Sequence, residues 1–130
     1  MRGRLNLLLD THVVVWAINE PDRLSKTLTD QLEDPANKVW VSAITIWELA
    51  IKASTGRVPV QKDTNYVIEA TGFRVLPFTA QHAREVRFLP LHHKDPFDRA
   101  LLAQARFENM RLVTTDQLIC LYRDVVDIIP

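Results

Sequence analysis

The chain has 130 residues, a length that suits a single domain spanning residues 1–130. Hydrophobic residues make up 47% and charged residues 25%, which provides for a packed core and excludes a disordered chain. Lys and Arg number 16, as do Asp and Glu, so the formal net charge is zero. This balance excludes a nucleic-acid binder that relies on bulk charge.

Short apolar runs alternate with helical patterns along the chain. In order, the first half predicts a strand, two helices, a strand and two helices, at Leu5–Leu9, Val13–Asn19, Ser25 to Pro35, Lys38–Val41, Ala43–Ser54 and Asp63–Ala70. The second half predicts a strand, two helices, a strand, a short helix and a strand, at Phe73–Phe78, Thr79–Phe88, Asp95–Glu108, Leu112–Thr115, Leu118–Tyr122 and Val125–Ile129. Strands separated by helices imply an α/β fold with a mainly parallel sheet covered on both faces.

Two local features sharpen this outline. Asp95 before Pro96 is a clear helix start, because Asp caps helices and Pro is favoured at the first helical position. In the Ala43–Ser54 helix, three apolar residues recur at helical spacing and predict a face packed in the core: Ile44, Trp47 and Ile51. Core packing is likewise predicted for Trp16, Trp40 and Cys120.

The location of the protein follows from what the sequence lacks. No apolar stretch approaches the roughly 20 residues of a membrane helix, and the short apolar run after Arg4 predicts no signal peptide. The single cysteine cannot form an internal disulfide, which fits a reducing compartment. We therefore expect a cytoplasmic protein with no membrane association.

Four acidic residues are placed where an α/β sheet would gather them. Asp10 and Asp116 directly follow strands, Glu48 lies about two turns into a helix that follows a strand, and Asp98 lies in the first turn of a helix. Each acid alone has an ordinary explanation as a cap or first-turn residue. Because ligands of a parallel sheet bind beyond the carboxyl ends of its strands, the coincidence of four favours one functional site.

Clustered carboxylates repel one another unless a cation compensates them. Oxygen ligands suit Mg²⁺ or Mn²⁺ rather than zinc, and such ions activate water and stabilise charge on a phosphoryl group. The predicted reaction is metal-assisted hydrolysis of a phosphodiester bond by an in-line water. The predicted catalytic residues and metal ligands are Asp10, Glu48, Asp98 and Asp116; Thr11, Thr114 and Thr115 are predicted to orient the carboxylates or the water.

Basic residues near the site have two readings. His12 and Arg99 could contact substrate, although a loop position is the commoner explanation for such a histidine. His92 and His93 resemble a zinc pair only superficially, since no further ligand follows at zinc spacing. With Arg87, Lys94 and Arg99 they form either a basic rim for phosphates or a solvated surface. Asp95 is better explained as a helix cap than as a ligand.

Four separated blocks resemble PIN-domain proteins, and in particular the toxin ribonucleases of VapBC toxin–antitoxin modules. The blocks are Leu8–His12, Val41–Lys52, Asp95–Ala105 and Leu112–Asp116. The resemblance implies a three-layer α/β/α sandwich and Mg²⁺- or Mn²⁺-dependent cleavage of RNA, with an acidic quartet that maps onto Asp10, Glu48, Asp98 and Asp116. It further implies a homodimer and a cognate antitoxin whose C-terminal segment covers the active site.

Other classes fit the sequence less well. A phosphatase of the haloacid-dehalogenase type wants a second Asp two residues after Asp10, where His12 stands. A receiver domain wants a pair of acids before its phosphorylated Asp and a late Lys. Dinucleotide binding lacks its Gly-rich loop after the first strand. The remaining alternative is a non-catalytic PIN-like module that binds RNA or acts as a scaffold.

Overall fold

Five short strands form one parallel sheet, and helices cover both of its faces. The computed structural model describes residues 5–56 and 68–130. The strands are β1 (Asn6–Leu9), β2 (Lys38–Ser42), β3 (Arg74–Leu76), β4 (Arg111–Val113) and β5 (Ile128–Ile129). The helices are α1 (Thr11–Asn19), α2 (Lys26–Glu33), α3 (Ala43–Ser54), α4 (Ala80–Glu85), α5 (Pro96–Glu108) and α6 (Gln117–Cys120). The helix predicted from Asp63 lies mostly outside the described residues, of which 68–70 are helical.

The order of the strands places the end of β1 at the middle of the sheet edge. The order is β3-β2-β1-β4-β5, and every neighbouring pair is parallel. Leu8 of β1 is paired with Trp40 on one side and Leu112 on the other. Because all five strands run the same way, the residues that follow β1, β2 and β4 emerge together at one edge.

The core has two halves, one on each face of the sheet. Leu8 faces a cluster that includes Leu101 and Leu102 of α5, whereas Leu7 and Leu9 face a cluster that includes Val13 of α1. This alternation follows from the two-residue period of a strand. A strand buried on both faces requires helices on both sides, so the predicted α/β/α sandwich with a mainly parallel sheet is confirmed.

The predicted core face of α3 is right for Ile44 and wrong for Trp47 and Ile51. Its buried residues are Ile44, Thr45, Glu48 and Leu49, whereas Trp47 is 57% exposed and Ile51 is 41% exposed. The helix turns two polar residues towards the sheet, and these lie in the functional site described below. The ring of Trp47 packs edge-on against Phe97, with 5.0 Å between ring centroids.

Smaller differences have local causes. The last strand begins at Ile128 rather than Val125, because the amides of Val125 and Val126 both donate to the Tyr122 carbonyl in a turn. Cys120 is half-buried rather than in the core. Trp40, predicted to lie in the core, is partly buried and packs against the edge of the core. Its Nε1 donates to the Asn6 side chain at 3.2 Å. Among the residues described, no helix has the length and apolar character needed to cross a membrane.

Candidate functional site

Asp10 and Asp116 lie beyond the ends of two neighbouring strands and are linked by one threonine. Asp10 caps α1, accepting the amide hydrogen of Val13 at 2.8 Å, and is almost fully buried. The buried hydroxyl of Thr114 donates to the other carboxylate oxygen of Asp10 and accepts the amide hydrogen of Asp116 at 3.0 Å. Asp116 in turn caps α6. The parallel pairing of β1 and β4 therefore brings the two acids to one place.

Glu48 approaches the same edge from α3. Its side chain is buried, and one carboxylate oxygen accepts the Thr11 hydroxyl at 2.7 Å. The second oxygen forms an ion pair with Lys52 at 3.1 Å, one helical turn further along. Thr11 follows Asp10 directly, so this hydrogen bond ties α3 to the start of α1. The buried hydroxyl of Thr45 lies 3.4 Å from that of Thr11 and supports the same contact.

Asp98 lies in the first turn of α5, which Asp95 caps through the amides of Phe97 and Asp98. The side chain of Asp98 is 18% exposed, and its Oδ2 atom lies 2.7 Å from Nε2 of His93. One potential ligand atom from each of His93, Asp98 and Asp116 lies within 4.8 Å of the other two. The start of α5 therefore adds a third carboxylate and an imidazole to the acids beyond β1 and β4.

The four predicted acids form one electrostatically connected cluster. Burial raises the pKa of Asp10, and the charge of Asp116 raises it further, against the hydrogen bonds from Thr114 and Val13 that lower it. Burial likewise raises the pKa of Asp98 to about 6, with added repulsion from Asp95 and Glu48 and an opposing hydrogen bond from His93. Burial and repulsion between the carboxylates therefore disfavour the ionised forms of Asp10 and Asp98, and a bound cation would favour them.

The chemistry of these donors fits a hard divalent cation. Four carboxyl groups from different elements lie near one edge of the sheet, and a cation bound among them would offset the burial and repulsion that raise the pKa values. The only basic side chains in contact with the four carboxylates, within the described residues, are Lys52 and His93. The carboxyl groups therefore outnumber the basic side chains that contact them, and a bound cation would reduce this excess.

The predicted supporting residues fall into two groups. Thr11 and Thr114 donate hydrogen bonds to site carboxylates, as expected for orienting residues. Thr115 is exposed, and no hydrogen bond joins its side chain to an acid in the described part of the chain. His12 is exposed beside the site, where its charge when protonated lowers the pKa of Asp10.

Arg99 has a structural explanation. Its two terminal nitrogens donate to the carbonyls of Val86, Leu89, Pro90 and His93 and to the Tyr122 hydroxyl, at distances of 2.9–3.4 Å. These contacts fix the loop before α5. The substrate contact predicted for Arg99 stays a prediction, and it would require a guanidinium group that already has several partners.

The sequence did not identify two residues that contact the site. Lys52 could have been found from its spacing, because a Glu and a Lys four residues apart pair on a helix. His93 could not, since its contact with Asp98 depends on the loop folding back over the start of α5. The structure also separates the two adjacent histidines: His93 points to Asp98, whereas the ring of His92 packs against Tyr122.

A parallel sheet with acids gathered beyond its carboxyl ends defines an α/β domain with an acidic ligand site. The family model of the PIN domain matches residues 7–123 of the chain. The chain therefore belongs to the PIN domain family, as its sequence blocks predicted.

Individual relatives agree with this assignment. The chain is 34% identical to Ribonuclease VapC22 from Mycobacterium tuberculosis, over 85% of this chain and 87% of that protein. Its fold is similar to that of a chain in VapBC2 from Rickettsia felis, solved with a DNA fragment from the promoter, with a TM-score of 0.72, 19% identity and coverage of 96% and 98%. DNA-bound VapBC from Salmonella typhimurium gives a TM-score of 0.73, 17% identity and coverage of 96% and 97%. The predicted resemblance to VapC-type toxins is confirmed.

Proposed function

We propose that this protein is a metal-dependent endoribonuclease and the toxin of a toxin–antitoxin pair. The observation that carries the proposal is the cluster of four acids, Asp10, Glu48, Asp98 and Asp116. Within the described residues, fewer than four basic side chains contact these carboxylates. A family relative that is a ribonuclease, at 34% identity, supports RNA as the substrate.

The four acids hold the metal in this proposal. Their oxygen donors favour Mg²⁺ or Mn²⁺. When bound, the ion supplies Lewis acidity towards a phosphate oxygen and lowers the pKa of a bound water. Asp10 and Asp116 are held by the caps of α1 and α6, and Asp98 by the start of α5, so three of the four carboxylates need no large rearrangement to bind.

Other residues of the chain orient these acids. Thr114 and the amide of Val13 each donate to one oxygen of Asp10 and so fix the orientation of its carboxylate. Thr11 does the same for Glu48, whose remaining oxygen faces Lys52. Through these hydrogen bonds the chain fixes the orientation of both carboxylates, and an in-line water is the nucleophile in this proposal.

The phosphate backbone of RNA would meet the exposed cations near the site. His12 is exposed beside Asp10, and Arg87 and Lys94 are exposed on the segment that leads into α5. The neutral overall charge makes such local cations the main source of attraction for phosphates besides the metal. We assign His12 and Lys94 as substrate contacts, and Arg99 mainly as the residue that fixes their loop.

An antitoxin partner and a homodimer are part of the proposal. Solved proteins with this fold include VapBC complexes, and one of these is described as a member of the VapBC family of toxin–antitoxin systems. Within residues 5–56 and 68–130, seven large apolar side chains are exposed, among them Trp47 and Ile51 of α3 and Leu118 and Leu121 at α6. Exposed aromatic and aliphatic side chains of this kind suit surfaces that partner chains cover. We place the protein in the cytoplasm, where its RNA substrate is made.

Cleavage of a mixed RNA panel that includes tRNA tests the proposal directly. Protein free of antitoxin should cut at least one RNA with Mg²⁺ or Mn²⁺ and none with EDTA. Asp98→Asn should lower the rate by about 100-fold or more, because loss of a metal ligand removes several kcal/mol of transition-state stabilisation. Asp30→Asn, which changes an exposed acid on α2, should keep full activity.

The outcome would also separate an enzyme from a binding module. RNA that binds tightly but is not cut, with equal binding by wild type and Asp98→Asn, would favour the non-catalytic alternative. Cleavage that persists in EDTA or in Asp98→Asn would contradict the assignment of the acidic cluster as the catalytic site.

A further inference from the structure

His93 lies within the candidate metal site, although it belongs to no acidic motif. Its Nε2 atom is 2.7 Å from Oδ2 of Asp98, and its side chain is 15% exposed. One ligand atom of His93 lies within 4.8 Å of ligand atoms from both Asp98 and Asp116. Neighbouring ligands on an octahedral ion are ~3 Å apart and opposite ligands ~4 Å apart. Small side-chain adjustments would bring these three groups to the spacing of ligands around one ion.

The loop that carries His93 is held by buried partners. The hydroxyl of Tyr122, a fully buried residue, accepts the amide hydrogens of His92 at 3.0 Å and His93 at 2.8 Å. Arg99 donates to the same hydroxyl at 3.1 Å and to the His93 carbonyl at 3.3 Å. An imidazole on a backbone fixed in this way is pre-organised for binding, unlike a histidine on a free loop.

His92 provides a natural contrast within the same loop. It shares the Tyr122 anchor, but it is exposed and its ring packs on Tyr122 with 5.0 Å between centroids. The described structure gives it no contact with a carboxylate. The two adjacent residues therefore have the same chemistry and nearly the same backbone support, and only His93 reaches the acids.

We propose that His93 is a nitrogen ligand of the metal centre and that it makes the site prefer Mn²⁺ or a later divalent transition ion over Mg²⁺. The inference rests on the proposed function in that Asp98 and Asp116 must hold an ion. Imidazole nitrogen binds transition ions well and Mg²⁺ poorly, whereas carboxylate oxygens serve both. The hydrogen bond between His93 and Asp98 contains one proton, which a bound ion replaces and releases to solvent.

Pulsed electron paramagnetic resonance of the full chain loaded with Mn²⁺ tests the inference. We expect a ¹⁴N coupling from a directly bound imidazole, which changes to a ¹⁵N pattern when the histidines are isotopically labelled. The coupling should be lost in His93→Gln and kept in His92→Gln. Absence of nitrogen coupling in the labelled wild type would contradict the inference even if His93→Gln folds poorly.

Calorimetric titration adds a quantitative comparison. His93→Gln should weaken Mn²⁺ binding by about 10-fold or more and Mg²⁺ binding by less than about 3-fold, while His92→Gln changes neither. Equal weakening of both ions, or bound Mn²⁺ without nitrogen coupling, would overturn the inference and leave His93 as a residue that orients Asp98.

Failure of this inference and failure of the proposed function give different results. If Mn²⁺ binds without nitrogen coupling but RNA is still cut in an Asp98-dependent manner, only the role of His93 is wrong. If wild-type protein binds no divalent ion, both are wrong. Circular dichroism of each variant shows whether lost binding reflects unfolding.

Discussion

Two groups of buried polar residues lie in this domain, and they are built in opposite ways. In the first, Ser42 donates to Gln104, Gln104 donates to the Pro77 carbonyl at 3.2 Å, and His82 bridges to Glu108 at 2.7 Å. In the second, Asp10, Glu48, Asp98 and Asp116 converge with few cations among them. Both groups connect elements that are far apart in the sequence, yet only the second concentrates charge.

The first group, which we call the Gln104 network, satisfies its members. Nδ1 of His82 accepts the amide hydrogen of Thr79 at 3.0 Å, which leaves Nε2 to carry the proton and donate to Glu108. In the described residues no buried side-chain nitrogen or oxygen lacks a partner. A fully paired network of this kind stabilises and specifies a fold, because unpaired members would carry a desolvation penalty.

In the acidic site the carboxylates have hydrogen-bond partners, but their negative charges are not matched by as many positive ones in the described part of the chain. Its carboxylates have hydrogen-bond donors, yet the pKa values of Asp10 and Asp98 are raised. The contrast teaches that hydrogen bonding alone does not identify a functional site in this fold. The site that we propose is distinguished instead by clustered carboxylates, because burial of like charges destabilises a protein unless a bound cation offsets them.

Substitution in the Gln104 network should give the largest effect on stability. Gln104→Ala removes the hydrogen bonds that Gln104 makes with Ser42, Pro77 and His82 and opens a cavity, so we expect a loss of about 2–4 kcal/mol in the free energy of unfolding. Urea unfolding measures it. Gln81→Ala, at an exposed position, should change stability by less than about 0.5 kcal/mol. RNA cleavage by folded Gln104→Ala should stay normal; a selective loss of cleavage would break the comparison.

The pH dependence of metal binding should report the charge in the acidic site. Asp98 has a pKa of about 6, so it is ionised at pH 7 and becomes protonated as the pH falls below that value. An ion must then displace a proton, and affinity should drop by about tenfold per pH unit below pH 6. Calorimetric Mn²⁺ titration at pH 5, 6 and 7 measures this. Equal affinities at pH 5 and pH 7 would show that Asp98 is ionised throughout or binds no metal.

Thr114 donates a hydrogen bond to Asp10, and removal of its hydroxyl should have a smaller effect on metal binding. Thr114→Val deletes the hydrogen bond that lowers the pKa of Asp10, so metal affinity at pH 7 should fall by about 5- to 10-fold. Thr114→Ser keeps the hydroxyl and should bind metal within about twofold of wild type. If the serine and valine variants lose the same affinity, packing rather than the hydrogen bond explains the role of Thr114.

Asp95 should give the smallest effect. Asp95→Asn keeps a good helix cap and removes a charge that raises the pKa of Asp98. We expect a change of less than about threefold in Mn²⁺ affinity and in RNA cleavage, since Asn can replace Asp as a helix cap but not as a charged metal ligand. A loss as large as that of Asp98→Asn would make Asp95 a member of the metal site.

Much of the fold could be predicted because local rules and the tertiary structure agree. The bounds of α3 and α5 follow from Ser42 and from the pair Asp95 and Pro96, which cap and start those helices. The sheet follows from apolar runs separated by helices. The edge of the site follows in turn, because carboxyl ends of parallel strands meet at one edge.

The rest depends on contacts that no local pattern encodes. Trp47 is apolar and correctly spaced for the core, yet the face of α3 that packs towards the sheet carries Thr45 and Glu48 instead. The contact between His82 and Glu108 joins residues 26 positions apart. His93 reaches Asp98 only because Tyr122, near the other end of the chain, holds its loop. Such pairings appear only when the tertiary structure is known.

We expect the acidic site to lower the stability of the metal-free fold until a cation binds. Because the pKa of Asp98 in the folded protein, about 6, exceeds the unfolded value of 3.8, the metal-free fold binds more protons between these values. Its stability therefore falls as pH rises through that window and stays lower at pH 7, by on the order of 1–3 kcal/mol.

Urea unfolding of wild type and Asp98→Asn at pH 7, each with and without Mn²⁺, measures this most directly. We predict that metal-free Asp98→Asn is more stable than metal-free wild type, and that Mn²⁺ stabilises wild type far more than the variant. A variant that is less stable than wild type without metal, together with equal stabilisation of both proteins by Mn²⁺, would show that Asp98 neither destabilises the metal-free fold nor binds the ion.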